Sequence, residues 1–225
     1  MTWSLRLGDC LEYLKTLPDG SVDAVVTDPP YGVNLKKQTT KHSVRTGGYD
    51  TFSDDPDETV SLVRAAIAEC RRIAKVVLVS SGVRNLWAYP PSDDIGTVFM
   101  PNGAGCTRWG FNGNNPILYY GKCPYLARGL GSRPNSVSAT SWYRRKDAEH
   151  PCEKPEKWME WMVQRATVEA GQTVLDPFAG SGTTGIACIK TGRNFIGCEI
   201  SPEYHAVATR RLQEAENNLF AGATK

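Results

Sequence analysis

Short apolar runs recur along this chain, each followed or preceded by residues at helical spacing. This alternation constrains the fold more than any other feature. The stretches 22–27 (VDAVVT), 75–81 (KVVLVSS), 172–176 (QTVLD) and 194–200 (NFIGCEI) are too apolar for strands with one wet face, so they read as strands buried on both sides. Between them lie amphipathic periods. Cys10, Leu11, Leu14 and Leu17 follow Asp9, a ready N-cap, and Pro18-Asp19-Gly20 stops that helix. Val60, Val63, Ile67 and Cys70 mark a second helix. Trp158, Trp161 and Met162 give 154–167 a bulky apolar face suited to a core, and 182–191 is another helix. Pro202 opens the last one, with Tyr204, Val207, Ala208 and Leu212 behind it. Residues 3–7, 96–100 and 116–121 are further strand candidates. Strands alternating with helices predict an α/β fold around a mostly parallel sheet, with ligands at the carboxyl ends of its strands.

The 225 residues suit one domain, 1–225, with one sizeable core. Net charge is only +2, so a polyanionic partner has to be sought in the local distribution of charge. The seven cysteines form neither a CxxC pair nor a Cys/His cluster. No metal is expected, and free thiols in a cytoplasmic setting are. Residues 1–8 lack the apolar core of a leader, and no apolar run approaches the ~20 residues of a membrane span.

Two stretches carry chemistry. In 175–185 (LDPFAGSGTTG), Gly180, Gly182 and Gly185 fit GxGxxG between a strand and a helix. Glu199 ends the next strand 19 positions after Gly180, close to the ~20-residue spacing of a carboxylate that binds ribose hydroxyls. A nicotinamide or flavin dinucleotide would fit the glycines too. Asp176 at the strand tip argues against one, since it would repel a pyrophosphate and suits a ligand carrying an ammonium. S-adenosylmethionine has ribose hydroxyls, an ammonium, a sulfonium and no phosphate. The second stretch, 25–32 (VVTDPPYG), ends a buried strand on Asp28 and fixes a carboxylate, a rigid carbonyl and an aromatic ring within four residues.

Together, DPPY and DPFAGSGTT resemble the S-adenosylmethionine-dependent DNA amino-methyltransferases. The catalytic motif precedes the glycine motif, as in the β-class, a circular permutation of the common class I (Rossmann-like) methyltransferase fold. Residues 7–32, 108–122, 150–155 and 173–204 carry the resemblance. It implies a seven-stranded, mostly parallel sheet with one reversed strand. It places Asp176, Phe178, Gly180, Ser181, Gly182, Thr183 and Thr184 around the cofactor's methionine end and Glu199 on the ribose. Asp9 and Cys10 fall at the adenine, and His150, Lys154 and Pro155 close the pocket, with Lys154 toward the methionine carboxylate. The family usually has Thr and Gln where Cys152 and Glu153 stand.

The resemblance also explains the motif chemically. An exocyclic amine is a poor nucleophile because its lone pair is delocalised into the base. Two fixed acceptors, the Asp28 carboxylate and the Pro29 carbonyl, favour the pyramidal nitrogen. Pro30 limits the backbone that aims the carbonyl, and Tyr31 can stack on the base. A base paired in duplex DNA has to be flipped out to reach them. The expected reaction is methylation of adenine N6, because adenine-specific relatives usually carry Asp at the position of Asp28. Transfer to cytosine N4 or to RNA, and a non-catalytic DNA- or cofactor-binding protein, are the alternatives.

Phosphate contacts are expected from two basic aperiodic loops: Lys36, Lys37, Lys41 and Arg45, and then Lys122, Arg128, Arg133, Arg144, Arg145 and Lys146. The family places target recognition between the two motifs, here near 122–149. Trp109, Phe111 and Asn112 shape the flipped-base pocket or pack in the core. Double-stranded DNA is the expected partner, no membrane is, and the resemblance leaves room for a homodimer and a restriction endonuclease partner in a bacterial, archaeal or phage-infected cell.

Overall fold

The computed structural model describes residues 1–32, 55–101, 106–107, 109–139 and 153–223. The elements run β1 (Trp3–Leu7), α1 (Cys10–Thr16), β2 (Val22–Thr27), α2 (Pro56–Ile73), β3 (Ala74–Ser80) and α3 (Gly82–Asn85). There follow β4 (Asp94–Phe99), β5 (Cys106–Thr107), β6 (Gly110–Phe111), β7 (Asn114–Gly121), α4 (Pro124–Ala127) and β8 (Ser136–Ser138). The last part holds α5 (Glu156–Ala166), β9 (Thr173–Asp176), α6 (Thr183–Thr191), β10 (Asn194–Glu199) and α7 (Pro202–Ala223).

Capping sets the boundaries. Asp9 accepts from the Glu12 N–H at 3.0 Å to start α1, and Asp55 with Pro56 starts α2. Gly192, at φ 76°, closes α6 by donating to Cys188 and Ile189.

One sheet has the order β1-β10-β9-β2-β3-β7-β4-β8. Neighbours are parallel except where β7 meets β3 and β4, so β7 alone is reversed. The expected seven strands are present, and β8 makes an eighth. Its three residues, Ser136, Val137 and Ser138, pair with β4 at the sheet edge, too short a run to register as a sequence signal. A small separate hairpin pairs β5 with β6.

The period of two along the central strands divides the core. Ala24, Val26, Val76, Leu78, Val174 and Phe195 face α5, α6 and α7, whereas Val25, Val77, Val79 and Leu175 face α1 and α2. Trp158, Met159, Met162 and Val163 are fully buried against the first face. β9 therefore sits mid-sheet between β10 and β2, which sets the end of the glycine-bearing strand beside the end of the strand that leads to Asp28.

Candidate active site

The carboxyl ends of β1, β10, β9 and β2 open on one cleft. Its walls include Asp9, Cys10, Asp28, Pro29, Pro30, Tyr31, Lys154, Asp176, Phe178, Gly180, Ser181, Thr183, Thr184 and Glu199. The two motifs, far apart in sequence, thus form one site.

Asp28 is held from two sides. Lys154 donates to Oδ2 at 2.5 Å, and the Tyr31 hydroxyl donates to Oδ1. That hydroxyl also meets Ser80 Oγ at 2.8 Å. Burial first, then the charge of Asp28, hold the Tyr31 phenol well above its ordinary range, so it remains a donor. The Lys154 ammonium lies 5.0 Å from the Tyr31 ring centroid and 5.6 Å from that of Trp158. Lys154, expected toward the methionine carboxylate, is here paired with Asp28. The Tyr31 ring, expected to stack on the base, has Lys154 over it and Gly82 beside it.

Asp176 is 2% exposed. It accepts from Thr27 Oγ1 and Thr184 Oγ1, both at 2.6 Å, and from the Phe178 N–H at 3.0 Å. Burial outweighs these donors and raises its carboxyl from 3.8 to about 6. Glu199 accepts from the Gly180 N–H at 2.8 Å and the Ser201 N–H at 2.9 Å, and burial raises its pKa as well. Burial likewise pushes the Cys10 and Cys198 thiols up to about 12, so neither is a thiolate nucleophile near neutral pH.

Gly182 does not line the cleft. Its φ is 79°, and a Cβ would come within 3.1 Å of the Ala208 Cβ, so it serves the approach of α6 to α7. Pro155 is buried behind the cleft wall at the start of α5. Beside it, Glu153 and Arg211 form a buried ion pair at 3.1 Å, their side chains 2% and 3% exposed. Arg211 also donates to the Ser181 carbonyl at 2.7 Å. The Glu153 that departs from the family's Gln is thus matched by a cation that holds the glycine turn.

The basic residues separate. Lys122 and Arg128 border a groove with Val22, Ala74 and Gln172, at the amino ends of the parallel strands. Arg128 pairs with Glu169 at 2.5 Å. Arg133 stacks over Tyr125, whose hydroxyl donates to Gln164 at the end of α5. All three lie across the sheet from Asp28, because reversed β7 carries the chain to that end. They are not placed to hold DNA at the cleft. His150, Lys36, Lys37, Lys41, Arg45, Arg144, Arg145 and Lys146 lie outside the described residues. Trp109 is fully exposed and Asn112 binds the Asn114 N–H; neither lines the cleft. The side chain of Phe111 is also outside the described part.

Sequence reasoning missed Gly8, Ile200 and Tyr204, which adjoin recognised motif residues in the chain, and Leu62 and Met159, which carry only a helix-core signal. It also missed Ser80, whose signal was a pair of serines at a strand tip.

Comparison with known proteins agrees with this arrangement. The model of the N6/N4 methyltransferase family, described as DNA methylase, matches residues 81–210. The Type II methyltransferase M.HinfI of Haemophilus influenzae is 31% identical over 94% of this chain and 68% of its own. The Type II methyltransferase M.HpaI of Haemophilus parainfluenzae is 27% identical over 98% and 77%. Among solved structures, the cytosine-N4-specific PvuII DNA methyltransferase superposes with a TM-score of 0.67 at 18% identity, covering 99% of this chain and 94% of its own. The M1.HpyAVI–SAM complex gives 0.66 at 20% identity, covering 94% and 99%. These two share the fold. A family match over more than half the chain and a relative of this identity and coverage make the protein a DNA amino-methyltransferase of the N6/N4 family.

Proposed function

We propose that the protein methylates the N6 amine of an adenine flipped out of duplex DNA, with S-adenosylmethionine as donor. The observation that carries the reading is the Asp28 carboxylate, held by Tyr31 and Lys154 in the same cleft as Glu199.

The cleft suits a cationic cofactor. Among the described residues its walls carry Asp9, Asp28, Asp176 and Glu199, with Glu153 paired to Arg211, and one cation, Lys154, which Asp28 already engages. That field disfavours a pyrophosphate and favours an ammonium and a sulfonium. Glu199 and the turn at Gly180 and Ser181 would hold the nucleoside, with Asp9 and Cys10 at its base. Asp176, Thr183 and Thr184 would border the methionine part. When bound, the cofactor supplies an electrophilic methyl.

The chain's own part is positioning. Asp28 accepts one N–H of the target amine and the Pro29 carbonyl accepts the other. Tyr31 holds the carboxylate through Oδ1, with its hydroxyl braced by Ser80. Asn85 donates to the Tyr31 carbonyl at 3.1 Å and pins the backbone after the prolines. Rigid acceptors of this kind need no reorganisation during transfer. Asp28 also supports adenine over cytosine, by its motif position. The segment 122–149 is proposed for target recognition in its later part alone, since Lys122–Arg133 lies at the far end of the sheet.

Incubation of unmethylated DNA with labelled cofactor, digestion to nucleosides and mass spectrometry test this. N6-methyladenine is expected. N4-methylcytosine would overturn the base assignment, and transfer to RNA alone would overturn the substrate.

A further inference from the structure

The chain leaves β3 at Ser80 and turns at once into α3, continuing as a helical turn to Tyr89. The inner side of this turn belongs to the site. Gly82 lies against the Tyr31 ring, where a Cβ would stand 3.5 Å from Cε1. Asn85, 3% exposed, donates to the Tyr31 carbonyl and to the Tyr89 hydroxyl. Helical spacing turns the intervening residues outward. Val83 is 39% exposed and Trp87 is 86% exposed. Arg84, exposed between them, has no partner among the described residues. A tryptophan is seldom left so bare, and this one stands on an element packed against Tyr31 of the catalytic motif.

We propose that Arg84 and Trp87 form a docking face for the DNA duplex flanking the target base. Trp87 packs on a base or deoxyribose, and Arg84 pairs with a backbone phosphate. The inference rests on the proposed entry of a base at Asp28. Three observations select the occupant. Gly82 and Asn85 tie the face to Tyr31, which lines the cleft. The charge of the face among the described residues, Arg84, is complementary to a polyanion. Its exposed apolar part among the described residues is Val83 and Trp87, far short of the roughly 800 Å² per partner that a stable dimer covers. A flat, sequence-tolerant aromatic beside an arginine suits nucleic acid.

The test uses Trp87→Ala, Trp87→Phe and Arg84→Ala in the full chain, with duplex DNA affinity measured across a salt series. Trp87→Ala is expected to weaken binding about tenfold or more, with Trp87→Phe retaining most of it. Arg84→Ala is expected to lower the slope of log affinity against log salt by about 0.9, which Trp87→Ala leaves unaltered. Affinity within twofold of the parent in both alanine variants would overturn the proposal. So would a parent dimer that Trp87→Ala converts to monomer with DNA affinity intact, because a second copy would then cover the face. Affinity is read whether or not methyl is transferred. A parent that binds DNA but transfers no label would overturn the transfer reading alone.

Discussion

Thr27 donates its hydroxyl to the buried Asp176 carboxylate across 2.6 Å, joining residues 149 apart in sequence. Thr27 immediately precedes Asp28, and Asp176 opens the turn that leads to the glycines. This bond adds a side-chain link between the two halves of the cleft just beyond the last paired residues of β2 and β9.

Thr27→Val keeps the shape and removes the donor. A buried charged acceptor that loses a hydrogen bond costs about 1.5–3 kcal/mol, so urea denaturation should show a loss of that order. Turnover should fall along with it. A variant as stable and as active as the parent would show that the link is dispensable.

Asp176→Asn should reveal a pH signature. Asp176 has its carboxyl raised from 3.8 to about 6 by burial. The folded state thus holds this proton more tightly than the unfolded state. Its contribution to stability is present below about pH 4 and is lost as pH rises through 6. The asparagine lacks this dependence. Between pH 4 and pH 7 the stability difference should move in favour of the variant by up to about 3 kcal/mol. A difference constant with pH would count against an ionising Asp176.

Lys154→Ala separates two assignments. Because Lys154 binds Asp28 at 2.5 Å, its loss should lower turnover tenfold or more while cofactor affinity, read by calorimetry, stays within about twofold. A large loss of cofactor affinity would return Lys154 to the methionine carboxylate. Asp28→Ala should abolish transfer with cofactor affinity likewise retained, and residual turnover above a tenth would remove Asp28 from the chemistry.

The Glu153–Arg211 pair should behave as a buried ion pair does. Removing either partner alone breaks this buried pair, leaving Arg211 with the longer contact to Glu156 in the one case, and should cost about 3–5 kcal/mol. Joint replacement by methionines should cost less than the two single losses together. Chemical denaturation of the four proteins in a double-mutant cycle measures this coupling. Simple additivity would mean that the two residues do not act as a pair.

What the sequence made legible follows from how local each signal is. β2, β3, β9 and β10 announce themselves by apolar runs, and Asp9 by its place before Cys10. The DPPY block and Glu199 are fixed at strand ends, so their meeting in one cleft follows once the strands are parallel. Lys122, Arg128 and Arg133 show the opposite case. Their charge is plain in the sequence, yet their side of the molecule depends on the reversal of β7, a non-local property. Lys154 was legible as part of the pocket wall, but its partner Asp28 lies 126 residues away. Ser80 and the α3 turn carry no periodicity, and only the packing of Gly82 on Tyr31 discloses them.

The mid-sheet position of β9 bears on how the protein comes into being. Trp3 at the start of β1 pairs with Phe195, and β2 has its inner neighbour only when 173–176 exist. During synthesis from the N-terminus at about 5–20 residues per second, β2 waits roughly 8–30 s with one edge unpaired. Such an edge is an open template for other strands, and long-range parallel pairing is slow to form. The nascent chain is therefore vulnerable for most of its synthesis and becomes resistant late and abruptly. Chains arrested on the ribosome before Thr173 should be cut readily by protease, whereas chains arrested well past Arg211, with the last helix clear of the exit tunnel, should resist it.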